Sequence, residues 1–467
     1  MMEQILTGVY VTVVVVLLFG ASIFLHEFGH YWMARRRGLK VEAFAIGFGP
    51  KIFGWTRDGI EYSWRWIPAG GYVKLPQMVT SQTLEGTVEN PEKIPPASPF
   101  SKILVAAAGP FMNVVFAFAV ATVIYFAGLP VPVNPSFIGY VDPGSEEFKL
   151  GIKEGDRIVA VDGKPVKSWE NVQHITVFAL TNVLPVTIER AGTRKIYHLK
   201  ADASPTIGLK VLNLDPREHP IVNKVGSGTP AEIAGLKQND KIVSFAGIPV
   251  FSQMQVSDLV KKRVGEASEI VVERNGRKES FAITPFFDEK YKRGRLGIEF
   301  LPSPTVYEVQ KPGPTPWQQV AEVWTRTIET FNALFHSKQT GVGAKDLSGP
   351  VGILSVLALQ VKTDYRLALN FLVLLNINLA ILNMLPVPVL DGGHIMMALI
   401  ERIRRRPLSP RFVEYTTSAF AVLLISFMLY VTFFDIKRFP LFHSMFKRET
   451  QIEQMEKPSS SSTNAQP

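Results

Sequence analysis

Residues 5–30 read "ILTGVYVTVVVVLLFGASIFLHEFGH" and end with two histidines and a glutamate. The run from Ile5 to Leu25 carries no charge, and its length is close to the roughly 20 residues that cross a bilayer as a helix. Ionisable groups at such a depth are costly and usually mark a functional site. This stretch therefore predicts a membrane-spanning helix with chemistry at one end.

Three other stretches of the 467-residue chain have a similar length and character, and hydrophobic residues make up 46% of the total. The four apolar stretches are 5–28, 103–129, 367–390 and 416–434. We therefore predict a polytopic α-helical membrane protein with four transmembrane helices. The chain has no cysteine, which excludes disulfides and thiolate metal ligands.

The positive residues behind the formal net charge of +9 are concentrated beside the apolar stretches, so we expect no nucleic-acid partner. They follow the first stretch and lie between the third and fourth: Arg35, Arg36, Arg37, Lys40, Arg402, Arg404, Arg405, Arg406 and Arg411. By the positive-inside rule both segments face the cytoplasm, so the N-terminus, residues 130–365 and the C-terminus face outward. Because Glu3 precedes the first stretch and basic residues follow it, we expect no cleaved signal peptide.

Residues 41–78 combine aromatic and β-branched residues in short runs that glycine and proline interrupt. Arg57-Asp58-Gly59 separates two of these runs, as a turn does. We predict a small β structure at the cytoplasmic membrane surface, followed by a mobile loop at 79–99. The predicted N-terminal membrane part, residues 1–129, consists of these segments and the first two helices.

An internal repeat occupies the long segment after the second apolar stretch. "GIKEGDRIVAVDGKPV" (151–166) matches "GLKQNDKIVSFAGIPV" (235–250) at a constant offset, which pairs Asp156 with Asp240. Each copy predicts strands between glycine turns. The pattern resembles bacterial PDZ domains, which bind peptide ends or strands by β-augmentation. We predict an extracytoplasmic tandem of β-rich PDZ-like domains, 130–213 and 214–303, and two structural modules without a ligand are the alternative.

The segment 304–365 is predicted to be an amphipathic, membrane-associated connector, because residues 317–337 place apolar side chains at helical spacing. Such a helix lies on the membrane or packs against the PDZ-like domains, and the sequence does not decide between these placements. Residues 366–448 form the predicted C-terminal membrane part with two helices. The tail at 449–467 is polar and low in complexity, so we predict that it is disordered.

His26-Glu27-Phe28-Gly29-His30 fits the H-E-x-x-H pattern. Positions i and i+4 of a helix share a face, so both imidazoles can bind one zinc ion while Glu27 reaches a water molecule beside it. The alternative is a pair of histidines with structural hydrogen bonds at the membrane surface. Ionisable residues at membrane depth favour the metal site.

Catalytic zinc commonly has three protein ligands and one open position, so a third ligand has to come from elsewhere in the chain. Asp391 is the best candidate, because it ends the third span in "NMLPVPVLDGGH" (383–394), where prolines and glycines interrupt the helix. Broken helices at membrane depth occur where they line a cavity. His394 is a weaker candidate. From the residues alone, Asp391 as a ligand and Asp391 as a turn or helix-end residue are equally supported.

Several segments together resemble the site-2 protease family of intramembrane zinc metalloproteases. They are "HEFGH" (26–30), "AAAGPFMN" (106–113), the PDZ-like repeat, "LSGPVGI" (347–353) and "NMLPVPVLDGG" (383–393). The bacterial branch of the regulator of sigma-E protease type, which has tandem PDZ domains, is most similar. The resemblance covers nearly the whole chain except 79–99 and the tail.

The resemblance implies that His26, His30 and Asp391 hold one zinc ion and that Glu27 is the general base. It implies cleavage of single-pass membrane proteins in the bacterial inner membrane, such as an anti-sigma factor in an envelope stress response, and also of signal-peptide remnants. The PDZ-like domains would then filter or capture substrates. A membrane-anchored protease for soluble or misfolded proteins and a non-catalytic PDZ scaffold are the alternatives.

Two asparagines of the third span, Asn378 and Asn383, occupy positions that the resemblance associates with the active site. We interpret them as contacts to the substrate backbone or to the developing oxyanion. Hydrogen bonds between helices are the alternative. Asn113 of the second span is expected to have that structural role.

A helical substrate has to unwind before its peptide bond can reach a metal ion. The segment ending in "AGGYVK" (69–74) can offer a strand edge to the unwound chain. Gly70 and Gly71 permit close approach of two backbones, and Tyr72 follows them on the same strand.

Overall fold

The computed structural model describes residues 2–78, 97–204, 208–289, 292–301, 305–446 and 452–453. The chain divides into two compact units. The first contains the membrane helices and comprises 1–130, 310–329 and 344–446, and the second contains the repeat and comprises 131–309, 330–343 and 447–467. Most of the predicted loop at 79–99 and of the tail at 449–467 lies outside the described residues.

The described helices comprise long apolar ones and shorter ones. In chain order they are α1 (Met2–Arg36), α2 (Pro99–Ala127), α3 (Glu146–Lys149), α4 (Trp169–Phe178), α5 (Pro230–Ile233), α6 (Gln253–Lys261), α7 (Pro316–Phe335), α8 (Ser337–Thr340), α9 (Pro350–Thr363), α10 (Tyr365–Asn383), α11 (Asp391–Arg404) and α12 (Pro410–Phe446). A 3₁₀ turn covers Ala344–Asp346.

The strands of the described residues begin with two long ones, β1 (Ala43–Arg57) and β2 (Ile60–Lys74). The others are β3 (Leu129–Pro132), β4 (Ile138–Tyr140), β5 (Arg157–Val161), β6 (Lys164–Pro165), β7 (Val183–Arg190), β8 (Thr193–Ala203), β9 (Lys210–Leu212), β10 (Asp215–Pro216), β11 (Val222–Val225), β12 (Lys241–Phe245), β13 (Ile248–Pro249), β14 (Ser268–Arg274), β15 (Arg277–Ile283), β16 (Phe286–Asp288), β17 (Arg293–Arg295), β18 (Ile298–Phe300), β19 (Tyr307–Gln310) and β20 (Ile452–Glu453).

Four helices of the described residues are long and apolar enough to cross a membrane, which confirms the predicted number. Their spanning segments are Ile5–Arg36, Pro99–Ala127, Tyr365–Asn383 and Arg411–Phe439. The predicted end of the third span at residue 390 is wrong, because α10 ends at Asn383. Pro386 and Pro388 follow, and neither has an N–H group to continue the helical hydrogen bonds. Asp391, which was predicted to end this span, instead begins α11.

Residues 41–78 form the predicted β structure. Asp58 and Gly59 make its hairpin turn, with positive φ angles of 52° and 75°. Both strands bend, so residues 43–46 pair with 61–64 on one side and with 71–74 on the other. The bent strands therefore make a small sheet in which the end of β2 is the outer strand.

This sheet packs on the first two membrane helices. Phe44 and Val73 from the sheet share a buried cluster with Ala34 of α1 and Val105 of α2. Gly47 and Gly49 lie at the bend of β1 with φ angles of 88° and 84°, which side chains other than glycine rarely adopt. Because the sheet is fastened to both helices, the end of β2 is placed beside "HEFGH".

The second unit contains two modules with separate hydrophobic cores, drawn from residues 138–214 and 222–296. The first module has a five-stranded sheet of order β6-β5-β7-β8-β9, and the second has a four-stranded sheet of order β13-β12-β14-β15. The first sheet packs against α4, and α6 packs against β17. The exact domain boundaries given above stay predictions.

The sequence repeat corresponds to a repeated ion pair. Asp156 accepts two hydrogen bonds of 2.6 Å from Arg190, and Asp240 accepts two of 2.7 Å from Arg274. In both modules the same guanidinium also donates to the carbonyl of the glycine that begins the repeat. Both aspartates are buried, so a bidentate partner satisfies their charge.

The connector contains the predicted amphipathic helix as α7. Within the first unit, Gln319 donates to the carbonyl of Ala121 on α2 at 3.0 Å, and Trp317 stacks on Phe118 of the same helix. The N-terminal part of α7 is thus attached to a membrane helix. The other two helices of the connector, α8 and α9, were not predicted.

The segment "LSGPVGI" leads into α9 and contacts the last membrane helix, α12. Asp435 of α12 is fully buried and accepts a hydrogen bond of 2.8 Å from the N–H of Gly352. A Cβ atom at Gly349 or Gly352 would lie within 2.8 Å of this carboxylate. The glycines of the segment therefore make room for a buried acid from another span.

Candidate metal centre

Three potential metal ligands converge in the first unit. His26 and His30 lie one turn apart on α1, and Asp391 is the first residue of α11. The Nε2 atom of His26 lies 3.3 Å from Oδ2 of Asp391, Nε2 of His30 lies 3.4 Å from Oδ1, and the two Nε2 atoms are 3.2 Å apart. Within the described residues, no other group of three such side chains is close enough to share a metal ion.

These separations fit a tetrahedral zinc site. With zinc–ligand bonds of about 2.0–2.1 Å, tetrahedral angles place the ligand atoms about 3.3 Å apart. Three donors at this spacing leave a fourth position for water or substrate, as in catalytic zinc sites. Two imidazoles and a carboxylate are also donors that zinc readily accepts.

Hydrogen bonds between α1 and α2 orient both imidazoles. The Nδ1 atom of His30 donates to the carbonyl oxygen of Val105 at 2.8 Å, which leaves Nε2 available to a metal. Asn113 lies 3.2 Å from Nδ1 of His26. The predicted helix-to-helix role of Asn113 is therefore confirmed, and its partner is a candidate ligand.

The amide of Asn113 gives a further test of metal binding. Its Nδ2 faces His26, while its buried Oδ1 has no hydrogen-bond partner among the described residues. Coordination through Nε2 would leave the proton of His26 on Nδ1, which then needs an acceptor. Turning the amide over supplies Oδ1 as that acceptor, because amide oxygen and nitrogen are assigned from their partners. The surroundings of Asn113 therefore fit a metal-bound His26 when its amide is turned so that Oδ1 accepts from Nδ1.

Two glycines allow α1 and α2 to approach closely at the site. A Cβ atom at Gly109 of α2 would lie 2.9 Å from Cε1 of His26 and closer still to the ring of His30. A Cβ atom at Gly29 of α1 would overlap the carbonyl of Ala108. Sequence reasoning used "AAAGPFMN" only for the resemblance and missed Gly109. The available signal was a glycine within a small-residue run of an apolar helix, which typically marks close helix packing.

The three ligands face a cavity of about 230 Å³. Glu27 is buried and lines it, together with Gly71 and Tyr72 of β2, Asn383 at the end of α10 and His394 of α11. A Cβ atom at Gly71 would lie 2.6 Å from Cγ of Glu27. The backbone of the outer strand therefore passes directly against the side chain of this glutamate.

Three other residues that were considered for the site, Asn378, Gly70 and His394, are not among the converging ligands. The Oδ1 atom of Asn378 accepts a hydrogen bond of 2.6 Å from Thr327 of α7, and Asn378 does not line the cavity. Gly70 precedes the cavity-lining residues with a φ of 148°, and Phe48 packs where its Cβ would be. His394 lines the cavity but is not one of the three converging residues.

A polar pair beside the site was missed by sequence reasoning. Asn376 of α10 is fully buried and donates at 3.0 Å to the hydroxyl of Ser22, one turn before His26 on α1. The signal was available, because an amide in an apolar span needs a partner. The interpretation of α10 considered only the asparagines associated with the resemblance.

The family model described as peptidase family M50 matches residues 14–427. The chain belongs to this family. A Neisseria meningitidis protein named as a zinc metalloprotease is 31% identical, over 88% of this chain and 95% of its own length. The regulator of sigma E protease of Salmonella typhi is 29% identical over 91% of this chain and 97% of its own length. The Escherichia coli K12 regulator of sigma-E protease RseP is 29% identical over 90% and 96%.

Solved structures match only a small part of the chain. The PDZ domain of an SdrC-like protein from Listeria monocytogenes is 22% identical and covers 18% of this chain and 88% of its own, with a TM-score of 0.17. A likeness of this size carries no further argument. Membership of peptidase family M50 and the named relatives make the chain a zinc metalloprotease, which confirms the predicted family, enzyme class and cofactor. The four membrane helices and the RseP relatives support an inner membrane protein.

Proposed function

We propose that this M50 peptidase hydrolyses peptide bonds of single-pass membrane proteins within or near the bilayer. The observation that carries the proposal is the position of the ligand cluster. His26, Glu27 and His30 belong to a 32-residue apolar span, and Asp391 lies beside them next to another span. A peptide that is already in the membrane can reach such a site without crossing a large aqueous domain.

His26, His30 and Asp391 are the proposed zinc ligands. When bound there, zinc polarises the scissile carbonyl and lowers the pKa of a water molecule towards neutrality. The hydrogen bonds that the imidazoles make to the Val105 carbonyl and to Asn113 keep both rings in the orientation that this requires. The protein thus holds its donors ready for the metal.

Glu27 is the proposed general base. It lies next to a proposed ligand in sequence and lines the same cavity, so it can take a proton from the attacking water and pass it to the leaving amine. Its side chain packs against Gly71, where the outer strand passes. A substrate paired with that strand would bring its scissile bond close to the carboxylate.

The outer strand of the small sheet is the proposed docking edge for the unwound substrate. Gly70 and Gly71 have no side chains to keep a second backbone away, and Gly71 and Tyr72 line the cavity. Pairing of main chains along this edge would hold the peptide extended across the site. This accounts for how a shielded helical bond becomes accessible.

Asn383 is the proposed contact to substrate backbone or oxyanion, because it lines the cavity with Glu27. Asn378 would have to exchange its hydrogen bond with Thr327 to take the same role. We therefore propose Asn383 first and Asn378 second. The helix-to-helix alternative fits the contacts of Asn378 better.

The orientation in the membrane follows from the charges at the helix ends. α1 ends with Arg35 and Arg36, and the last turn of α11 carries Arg402 and Arg404. Under the positive-inside rule these ends and the catalytic site face the cytoplasm, and the PDZ-like modules and the C-terminus lie outside it. We propose this arrangement for a bacterial inner membrane.

The second module has a groove that suits a peptide. It has a volume of about 290 Å³, lies between α6 and the strands β17 and β18, and is lined by Val256, Val260, Ile298, Arg293 and Arg295 among others. A groove beside a strand can receive an extended chain end. We propose that the modules filter or capture substrates that were first trimmed outside.

The substrate class that we propose is a membrane-anchored anti-sigma factor in an envelope stress response, with signal-peptide remnants as further substrates. Two relatives that match nearly their whole length are named regulators of sigma-E protease. Both substrate types are single-pass helices, which suits a site that lies beside membrane spans.

The test is cleavage of single-span reporters by the purified protein in lipid vesicles. We expect cleavage of a reporter without its outer domain, slower cleavage of the same reporter with it, and no cleavage of a soluble unfolded protein. Removal of zinc by a chelator should stop cleavage, and added zinc should restore it. Cleavage of the soluble protein alone would overturn the intramembrane function and favour the surface protease.

Proline at position 72 tests the docking edge. Tyr72→Pro removes a backbone N–H from the outer strand, so we expect cleavage to fall about 5- to 50-fold, as loss of a ladder hydrogen bond with local distortion predicts. Bound zinc should be unchanged. Gly70→Pro should act in the same direction, with added strain because the φ of 148° is closed to proline.

The matched control is Tyr72→Phe, which keeps the backbone donor and the strand propensity of an aromatic residue. It should retain far more cleavage than Tyr72→Pro. Normal cleavage by Tyr72→Pro, measured with the same single-span reporter and with zinc content confirmed, would sink the docking edge.

A further inference from the structure

A buried ion pair joins α2 to α11. The Nζ atom of Lys102 lies 2.8 Å from Oε2 of Glu401, 299 positions along the chain, and both side chains are only about a tenth exposed (11% and 10%). The other carboxylate oxygen of Glu401 accepts a hydrogen bond of 3.2 Å from the N–H of Leu408, which precedes α12. Glu401 therefore connects the beginning of one helix, the end of a second and the approach to a third.

Neither charge suits the helix that carries it. Lys102 is the fourth residue of α2, near the positive end of that helix dipole, and Glu401 lies three residues before the last residue of α11, near its negative end. A cation near an N-terminus and an anion near a C-terminus are both disfavoured. The helix dipoles therefore stabilise neither charge. What the ion pair stabilises is the contact between α2 and α11.

These two helices surround the metal centre. α2 carries Val105 and Asn113, which orient the imidazoles, and α11 begins with Asp391. Lys102 and Glu401 line a small cavity of about 20 Å³ together with His394, and His394 also lines the cavity at the ligands. The ion pair is thus one layer of side chains away from the proposed zinc site.

We propose that Lys102 and Glu401 are positioning residues that set where α11 lies along α2, and hence where Asp391 lies relative to His26 and His30. Two charges in a low-dielectric site tolerate little displacement, because moving one leaves the other desolvated and unpaired. An apolar contact would let the helices slide. The inference rests on the proposed ligand set, and it assigns the pair a role in metal affinity beyond folding.

The experiment measures zinc affinity of the full-length protein by competition with a chelator. Lys102→Met and Glu401→Gln should each weaken zinc binding about 10- to 100-fold, the range for partners that orient ligands. For a single-span reporter, kcat should fall while KM stays unchanged, since the proposed docking strand is not altered. Glu401→Gln keeps an acceptor for Leu408, so it remains informative if Lys102→Met fails to fold.

A double variant separates the ion pair from its two residues. Lys102→Met/Glu401→Gln keeps an acceptor for Leu408 and leaves neither charge buried without its partner, so it should bind zinc no more weakly than the weaker of the two single variants. Glu322→Gln, which breaks an exposed pair with Arg326 on α7, is the matched control and should be neutral.

A thiol probe reports displacement of α11 independently of activity. The chain has no cysteine, and Ala398 of α11 is buried in the small cavity, so a single Ala398→Cys is a unique reporter. A maleimide should label it faster in the Lys102→Met background.

Parental zinc affinity and slow labelling in the single variants would overturn the inference, even if their thermal stability falls. Losses of zinc affinity that simply add in the double variant would also overturn it. If the parent protein binds no zinc, the proposed function fails instead, so the two failures are distinguishable.

Discussion

Glu27→Gln is expected to slow cleavage of a single-span reporter about 10²- to 10⁴-fold, the usual contribution of a general base. Glutamine has nearly the shape of glutamate, but it cannot take a proton from the attacking water. Bound zinc should be unchanged, because the three converging donors are His26, His30 and Asp391. The measurement pairs the initial rate of cleavage with zinc content by atomic emission.

Glu61→Gln is the matched control for this substitution. Glu61 lies on β2 of the same sheet, where it is partly exposed and pairs with Lys51 at 3.0 Å. Its replacement should leave the cleavage rate within about twofold of the parent, because exposed ion pairs contribute little. Full activity of Glu27→Gln would falsify the proposed mechanism, and joint loss of zinc and activity would instead assign Glu27 a structural role.

Local spacing predicted the part of the site that lies within one helical turn. His26 and His30 share a face whatever surrounds them, because four residues make about one turn. Asp391 needed the resemblance, since an aspartate after a proline-rich segment begins helices as often as it binds metals. Here it does begin a helix, α11, and the same position brings it to the histidines.

The long-range contacts could not be predicted from the sequence, and the reason is physical. Nothing in the periodicity of either helix relates Lys102 to Glu401, and each charge contradicts the local dipole preference. The double pairing of β1 and β2 likewise depends on bends that hydrophobic patterning does not encode. The hairpin turn at Asp58 and Gly59 was predicted because turn chemistry is local.

Gly109→Ala is expected to weaken zinc binding at least about 100-fold and to abolish measurable cleavage, beyond the 10- to 100-fold effect of losing one orienting partner. The added methyl group would occupy the position of the His30 ring and crowd Cε1 of His26. Helix propensity alone predicts the opposite effect, a more stable helix, because alanine stabilises a helix interior by about 1 kcal/mol relative to glycine. Loss of zinc would therefore report the close approach of α2 and not a weaker helix.

Gly20→Ala is the matched control for Gly109→Ala. Gly20 is also inside a membrane helix, on α1, but a Cβ atom there would have no heavy atom within 4 Å. The same chemical change should leave zinc affinity unaltered and make unfolding slightly harder. If Gly109→Ala also binds zinc with parental affinity, the imidazoles must have room to move away from α2. The hydrogen bonds of the imidazoles to Val105 and Asn113 would then not be needed for zinc binding.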